Sequence, residues 1–169
     1  CKANPKFKAI SLRYFNPVGA HKSGLIGEGF SKKPNNLVPV ITQSAAGLRG
    51  KITIFGDDYD TRDGSCVRDY IHVEDIAEAH VLAIDYFEKL PTNYDVINLG
   101  TGTGTTVLEI LKSFEKISNL KLDYLIGERR VGDVESIYAD NSKAKDVLNW
   151  NPKNTVDIMM ASAWKWQQN

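Results

Sequence analysis

The 169-residue sequence has only two cysteines, Cys1 and Cys66. Two thiols cannot build a disulfide framework, so a reducing, cytoplasmic setting is expected. It also lacks an excess of either charge: 21 basic residues balance 21 acidic ones, for a formal net charge of zero. No broad basic field is available to draw in nucleic acid or a membrane surface, so any anion must be held by a local cluster. No apolar run approaches the ~20 residues of a membrane span, and no signal peptide is visible. Metal-ligand spacings, internal repeats and low-complexity segments are missing too, and no nucleophile stands at a recognisable distance from a base. Apolar residues are ample, at 42%, enough for the core of one ordinary domain. The chain opens on Cys and enters a strand-like run almost at once, which reads as one portion of a longer protein.

Strand patterns alternate with helical ones along the chain. Residues 7–15 (FKAISLRYF) read as a buried strand of a parallel sheet, ended by Asn16-Pro17. Residues 18–33 form a long glycine-rich loop. Asn36 caps a helix that tolerates Pro39 in its first turn and stops near Gly50. Residues 51–56 are a short strand and 57–64 a polar turn. An amphipathic helix follows over 74–90, with Ile76, His80, Ala83, Ile84 and Phe87 at helical spacing. Residues 94–100 form a second buried strand. Thr106 and Glu109 form a capping box for the next helix, whose buried stripe is Val107, Ile110, Leu111, Phe114 and Ile117. A strand at 120–126, a polar loop at 129–138, a short helix at 141–148 and a helix at 155–167 complete the chain, with Trp164 and Trp166 assigned to packing. This alternation predicts an α/β class.

The segment 65–75 (SCVRDYIHVED) is the most polar stretch set between a strand and a helix, where rigid elements can aim side chains at a ligand. Arg68 is its leading candidate, because a guanidinium forks onto two anionic oxygens at once. The alternative is a surface ion pair with Asp69, worth ~0–1 kcal/mol. Arg129-Arg130-x-Gly132-Asp133 is a second anion candidate, with Asp133 suited to sugar hydroxyls. It could equally be a solvated charged loop. Asn16 and Asn36 offer donors and acceptors for sugar hydroxyls. Phe55 at a strand end could stack on a base. The turn 100–106 (GTGTGTT) looks like a dinucleotide fingerprint, but the third glycine of GxGxxG falls on Thr105, so it reads as a capped strand-to-helix turn. His72 is read as structural, and Glu74 and Asp75 as first-turn helix acids. Together these residues describe a site for a diphosphate joined to polar rings, and name no reaction.

Several runs, in order, carry a family resemblance. YFNPVGAH at 14–21, PNNL at 34–37, IFGDDY at 54–59, RDYIHV at 68–73 and RVGD at 130–133 closely resemble the UDP-glucose 4-epimerases, members of the extended short-chain dehydrogenases. The resemblance implies the C-terminal, substrate-binding part of such an enzyme, spanning 1–169, with strands returning to a Rossmann sheet. It implies NAD as cofactor, a UDP-hexose as substrate, inversion at C4 through a 4-keto sugar, and a homodimer at full length. It places Phe15 beside the nicotinamide end of NAD, and Asn16 at the sugar or diphosphate. Asn36 and Leu37 fall at the diphosphate and uridine, and Thr53, Ile54 and Phe55 around uracil and ribose. Arg68 and Arg130 grip the diphosphate, Val131 and Gly132 complete that motif, and Asp133 takes ribose hydroxyls. Ile137 falls on the gate for the sugar 2-substituent, and its bulk implies a preference for UDP-glucose and UDP-galactose. The family's Tyr-x-x-x-Lys pair and glycine-rich NAD turn do not precede residue 7, so no catalytic residue is assigned, and the chain is expected not to epimerise by itself. Related nucleotide-sugar dehydratases, epimerases and decarboxylases share single runs, and a non-catalytic UDP-sugar-binding domain is a further alternative.

Overall fold

The computed structural model describes residues 3–4, 6–29 and 34–169. Cys1 and positions 30–33 of the glycine-rich loop lie outside the described residues. In chain order the elements are β1 (Ala9–Tyr14), β2 (Asn16–Val18), α1 (Leu37–Ala45), β3 (Ile52–Phe55), β4 (Val67–Arg68), β5 (Tyr70–His72), α2 (Val73–Glu88), β6 (Tyr94–Leu99), β7 (Thr105–Thr106), α3 (Val107–Ser118), β8 (Tyr124–Gly127), α4 (Ser142–Leu148) and α5 (Val156–Gln167). The strands pair two by two. β1 with β6, β2 with β5 and β3 with β8 are parallel, and β4 with β7 is antiparallel. Parallel neighbours reached through helical crossovers are what the alternating patterns predict.

Two apolar clusters hold these pairs. Ile97 and Leu99 of β6, with Ile10 and Leu12 of β1 at the margin, pack against Ile76, Ala79 and Ala83 of α2, Ala144 and Leu148 of α4, and Trp150. Val18, Ile52, Ile54 and Tyr70 gather instead with Ile41 of α1, Phe114 of α3 and Met159 and Met160 of α5. Each large side chain buried in this way contributes roughly 1.5–3 kcal/mol. Trp164 meets Phe114 edge-on at 5.4 Å, confirming it as a packing residue. The Trp166 indole N–H donates to Glu28 O, the Ala20 N–H to Ser162 Oγ, and the Asn169 side-chain amide to Gly24 O. The described part of the 18–33 loop is therefore strapped along α5.

Several boundaries differ from the sequence expectations. β1 is half-buried at best, and Tyr14 is exposed, because among the described residues only β6 flanks it. One of its faces meets α2, whereas Ser11 and Arg13 on the other bond to Tyr94 and Asn98. Pro17 does not end pairing but sits inside β2. Asn16 N–H donates to Asp69 O at 2.9 Å, so strand alternation turns position 17, which lacks an N–H, away from β5. α1 stops at Ala45 rather than near Gly50. Gly47 takes φ +73°, and the N–H of Leu48 reaches back to Gln43 O, a left-handed stop that glycine adopts without a Cβ clash. α3 carries the expected capping box of Thr106 and Glu109.

α2 begins at Val73, just ahead of the expected start, because His72 is its N-cap: Nδ1 accepts the Glu74 N–H at 3.0 Å. That acceptor fixes the tautomer, so Nε2–H donates to Ser162 Oγ at 3.0 Å, and Ser162 in turn donates to Met159 O. Gly19 is required beside this ring, since a Cβ there would lie 2.6 Å from His72 Cδ2. The structural reading of His72 is thus borne out. Burial holds the imidazole below its ordinary 6.5, against a smaller upward pull from Glu74 and Asp75. The unfolded chain therefore takes up the proton first, so the stability tied to neutral His72 is complete above about pH 6.5 and is lost as pH falls below it. His72→Asn keeps a capping acceptor but cannot titrate. Urea denaturation is expected to show a shallower loss of stability from about pH 7 to about pH 5 for this variant than for the wild type; equal slopes would contradict the assignment.

Candidate functional site

The site is set by Asp69, which stands between β4 and β5 and is fully buried. Its Oδ1 accepts from Thr101 N at 2.8 Å and Thr101 Oγ1 at 2.6 Å. Its Oδ2 accepts from Gly102 N at 3.2 Å and Ala139 N at 3.0 Å. Four donors satisfy a carboxylate that would otherwise be costly to bury. Gly100 makes room for it, since a Cβ there would come within 2.3 Å of Oδ2. The amides of the 100–106 turn thus hold the protein's own carboxylate, in keeping with its reading as a capped structural turn. Asp69 is also spent inward, which removes the alternative of a surface pair with Arg68. Adjacent residues of an extended segment point to opposite sides, so burying Asp69 turns Arg68 outward.

Arg68 faces a cavity of about 630 Å³, within the range of small-molecule sites. Phe15, Asn16, Asn36, Leu37, Thr53, Ile54, Phe55, Arg68, Arg130 and Asp133 all line it. Strand alternation explains the β3 wall: Ile52 and Ile54 point into the core while Thr53 and Phe55 are exposed. Asn36 occupies the N-cap position of α1, yet its side chain makes no capping bond, which leaves its amide on the cavity wall.

Two cationic forks converge here. Arg68 Nη1 donates to Val67 O at 2.8 Å and Val134 O at 2.6 Å, and Nη2 to Asp133 Oδ1 at 3.5 Å. Arg130 Nε donates to Asp133 Oδ2 at 3.2 Å and Nη2 to Oδ1 at 2.8 Å. One carboxylate thus joins two guanidinium groups, leaving the trio net positive. The Arg68 and Asp133 side chains are 17% and 15% exposed, so their attraction is screened less than that of a surface pair. The Arg130 guanidinium also lies 5.4 Å from the centre of the Phe55 ring, within cation–π reach.

The other expected residues fall elsewhere. Val131 is fully exposed, Gly132 turns the loop at φ +87°, and Ile137 is exposed with its N–H on Val67 O; none lines the cavity. The expected pair of adjacent phosphate-binding arginines splits. Arg129 turns away from the cavity, donating from Nε to Asp58 Oδ1 at 2.7 Å and lying 4.2 Å above the Tyr59 ring. Missed were Asn35, Arg49, Lys51, Cys66 and Tyr70, which also line the cavity. Arg49 and Lys51 flank the start of β3, and a basic pair beside a strand already assigned to the site was the available signal. Arg49 Nη1 donates to Pro34 O at 2.7 Å, tying the Asn35-Asn36 wall to the β3 wall. Among the described residues, no helix is long and apolar enough to cross a membrane.

A protein-family model described as the NAD dependent epimerase/dehydratase family matches residues 1–100. The UDP-glucose 4-epimerase of Erwinia amylovora is 51% identical over 98% of this chain and 49% of its own length. UDP-glucose 4-epimerase 2 of Arabidopsis thaliana is 48% identical over 99% of this chain and 48% of its own length. The crystal structure of the Bifidobacterium longum UDP-glucose 4-epimerase in complex with NAD+ and UDP superposes with a TM-score of 0.92, at 46% identity over 99% of this chain and 49% of that one. The chain spans about half the length of the curated relatives it matches. The α/β expectation agrees with the fold of these relatives.

The role of Asp69 is open to test by its isostere. Asp69→Asn presents a donor to backbone N–H groups that already need an acceptor. A loss of about 2–4 kcal/mol in denaturant unfolding is expected. A loss below about 1 kcal/mol would contradict the buried-carboxylate account.

Proposed function

The chain belongs to the NAD dependent epimerase/dehydratase family, and we propose that residues 1–169 are the UDP-sugar-binding portion of a longer UDP-glucose 4-epimerase, which interconverts UDP-glucose and UDP-galactose. The observation that carries this reading is the joining of Arg68 and Arg130 through Asp133 on one wall of a cavity, with Phe55 and Thr53 beside them. Charge-assisted forks suit the two phosphoryl groups of a nucleoside diphosphate. An aromatic ring at a strand end suits the base, and Asn16 and Asn36 suit the sugar and its diphosphate. Asp133, already oriented by both arginines, has acceptor capacity left for ribose hydroxyls. Ile137, expected as the bulky gate against N-acetylated sugars, lies outside this cavity, so no gate is placed there.

NAD enters as the cofactor of the family. The residues present fit only its outer end, with Phe15 on the cavity wall. They offer no cradle for its pyrophosphate in the 100–106 turn, whose amides are engaged with Asp69. NAD, when bound, supplies reversible hydride acceptance at the sugar C4. The chain's own residues hold the diphosphate and orient the hexose.

In the full-length protein, Arg68→Ala is expected to weaken UDP binding about tenfold or more, since a charge-assisted hydrogen bond contributes ~1.5–3 kcal/mol. Isothermal titration calorimetry checks this. An unchanged UDP affinity would remove Arg68 from the site.

A further inference from the structure

We propose that Arg129 is a positioning residue: it does not meet the ligand, but fixes the loop from which Arg130 reaches the cavity. The inference rests on the reading of Arg130 as a diphosphate-gripping residue.

The loop between β8 and α4 is exposed along nearly all of residues 128–138. Val131 is wholly in solvent, and the space around Gly132 is open. A long side chain on such a segment is aimed only if the backbone on both sides of it is anchored. The far side is anchored by backbone bonds between Val67 and both Glu135 and Ile137, and by Arg68 on Val134 O. The near side leaves the β3–β8 ladder at Gly127. The Arg129 side chain then ties it down: Nε and Nη2 both donate to Asp58, to its carboxylate and its backbone carbonyl. The guanidinium plane also covers the Tyr59 ring at 4.2 Å. Tyr59 is a firm platform, being buried and bonded through its N–H to Gly64 O.

Gly56 allows the stack to form. It adopts φ +82°, and a Cβ there would lie 2.6 Å from Tyr59 Cε2 and 2.9 Å from Arg129 Cγ. The two aromatic rings on either side of this glycine therefore take neighbouring arginines. Tyr59 holds Arg129 outside the cavity, and Phe55 lies under Arg130 inside it. With two of its nitrogens on Asp58 and its plane on a ring, Arg129 pre-orders the loop, which lowers the ordering cost of ligand binding.

A double-mutant cycle on the full-length protein, read as UDP affinity by calorimetry, tests this. Arg129→Ala is expected to weaken UDP about fivefold or more, and to add less than about twofold once Arg130 is already alanine. A merely structural effect, or a direct contact with the ligand, would weaken UDP equally in both backgrounds and would overturn the proposal. Arg129→Lys keeps the charge but loses the planar stack, and covers the case in which alanine prevents folding. It is expected to give a partial loss that vanishes in the Arg130→Ala background, and wild-type affinity for it overturns the proposal. If Arg130→Ala binds UDP weakly while Arg129→Ala binds normally, the positioning role alone falls. If Arg130→Ala binds UDP normally, the reading of the site falls with it.

Discussion

The buried carboxylate of Asp69 is the constraint on which the arrangement depends. A carboxylate without water costs several kcal/mol unless every lone pair is engaged. Here the donors come from the 100–106 turn and from Ala139, while the Asp69 carbonyl accepts the N–H of Asn16. Three stretches of chain must therefore arrive together for any one of them to be satisfied. Once they do, β2, β4, β5 and the turn after β6 are fixed relative to one another. Arg68, one residue earlier, then has only the opposite side to occupy.

That side faces the cavity. Arg68 comes from β4 and Arg130 from the exposed loop after β8, and Asp133 links them. Without the carboxylate, two guanidinium groups would repel and spread. With it, they sit as one cationic cluster with charge left over for an anion. The walls around the cluster follow from local rules. The β3 alternation presents Thr53 and Phe55, and the start of α1 presents Asn36 and Leu37. A nucleotide sugar, the ligand proposed for this cavity, would need such a combination: fixed positive charge for the diphosphate and neutral hydrogen-bonding groups for the sugar.

Some local features are legible in the sequence. The capping box of α3, the polar segment around Arg68 and the strand-end position of Phe55 depend on neighbours a few residues away. What could not be read was the long-range pairing. Asp69 meets groups 32 and 70 residues along the chain, and nothing beside it announces them. Arg129 and Arg130 are identical in type and adjacent, and their partners separate them: Asp58 and Tyr59 for one, Asp133 and Phe55 for the other. The end of α1 was misplaced because Gly47 and Gly50 are equally good stop signals, and the choice depends on which carbonyls lie in reach. Pro17 reads as a strand terminator because it lacks an N–H, but that side of the residue turns away from β5.

Under the proposed reading, the paired guanidinium groups, rather than the pocket for the base, supply most of the hold on the ligand. The direct measurement is calorimetric titration of the full-length protein with UDP and with uridine, at low and high salt. UDP is expected to bind on the order of 100-fold more tightly than uridine, with the gap narrowing as salt screens the exposed Arg130. Equal affinities for the two ligands, insensitive to salt, would contradict it.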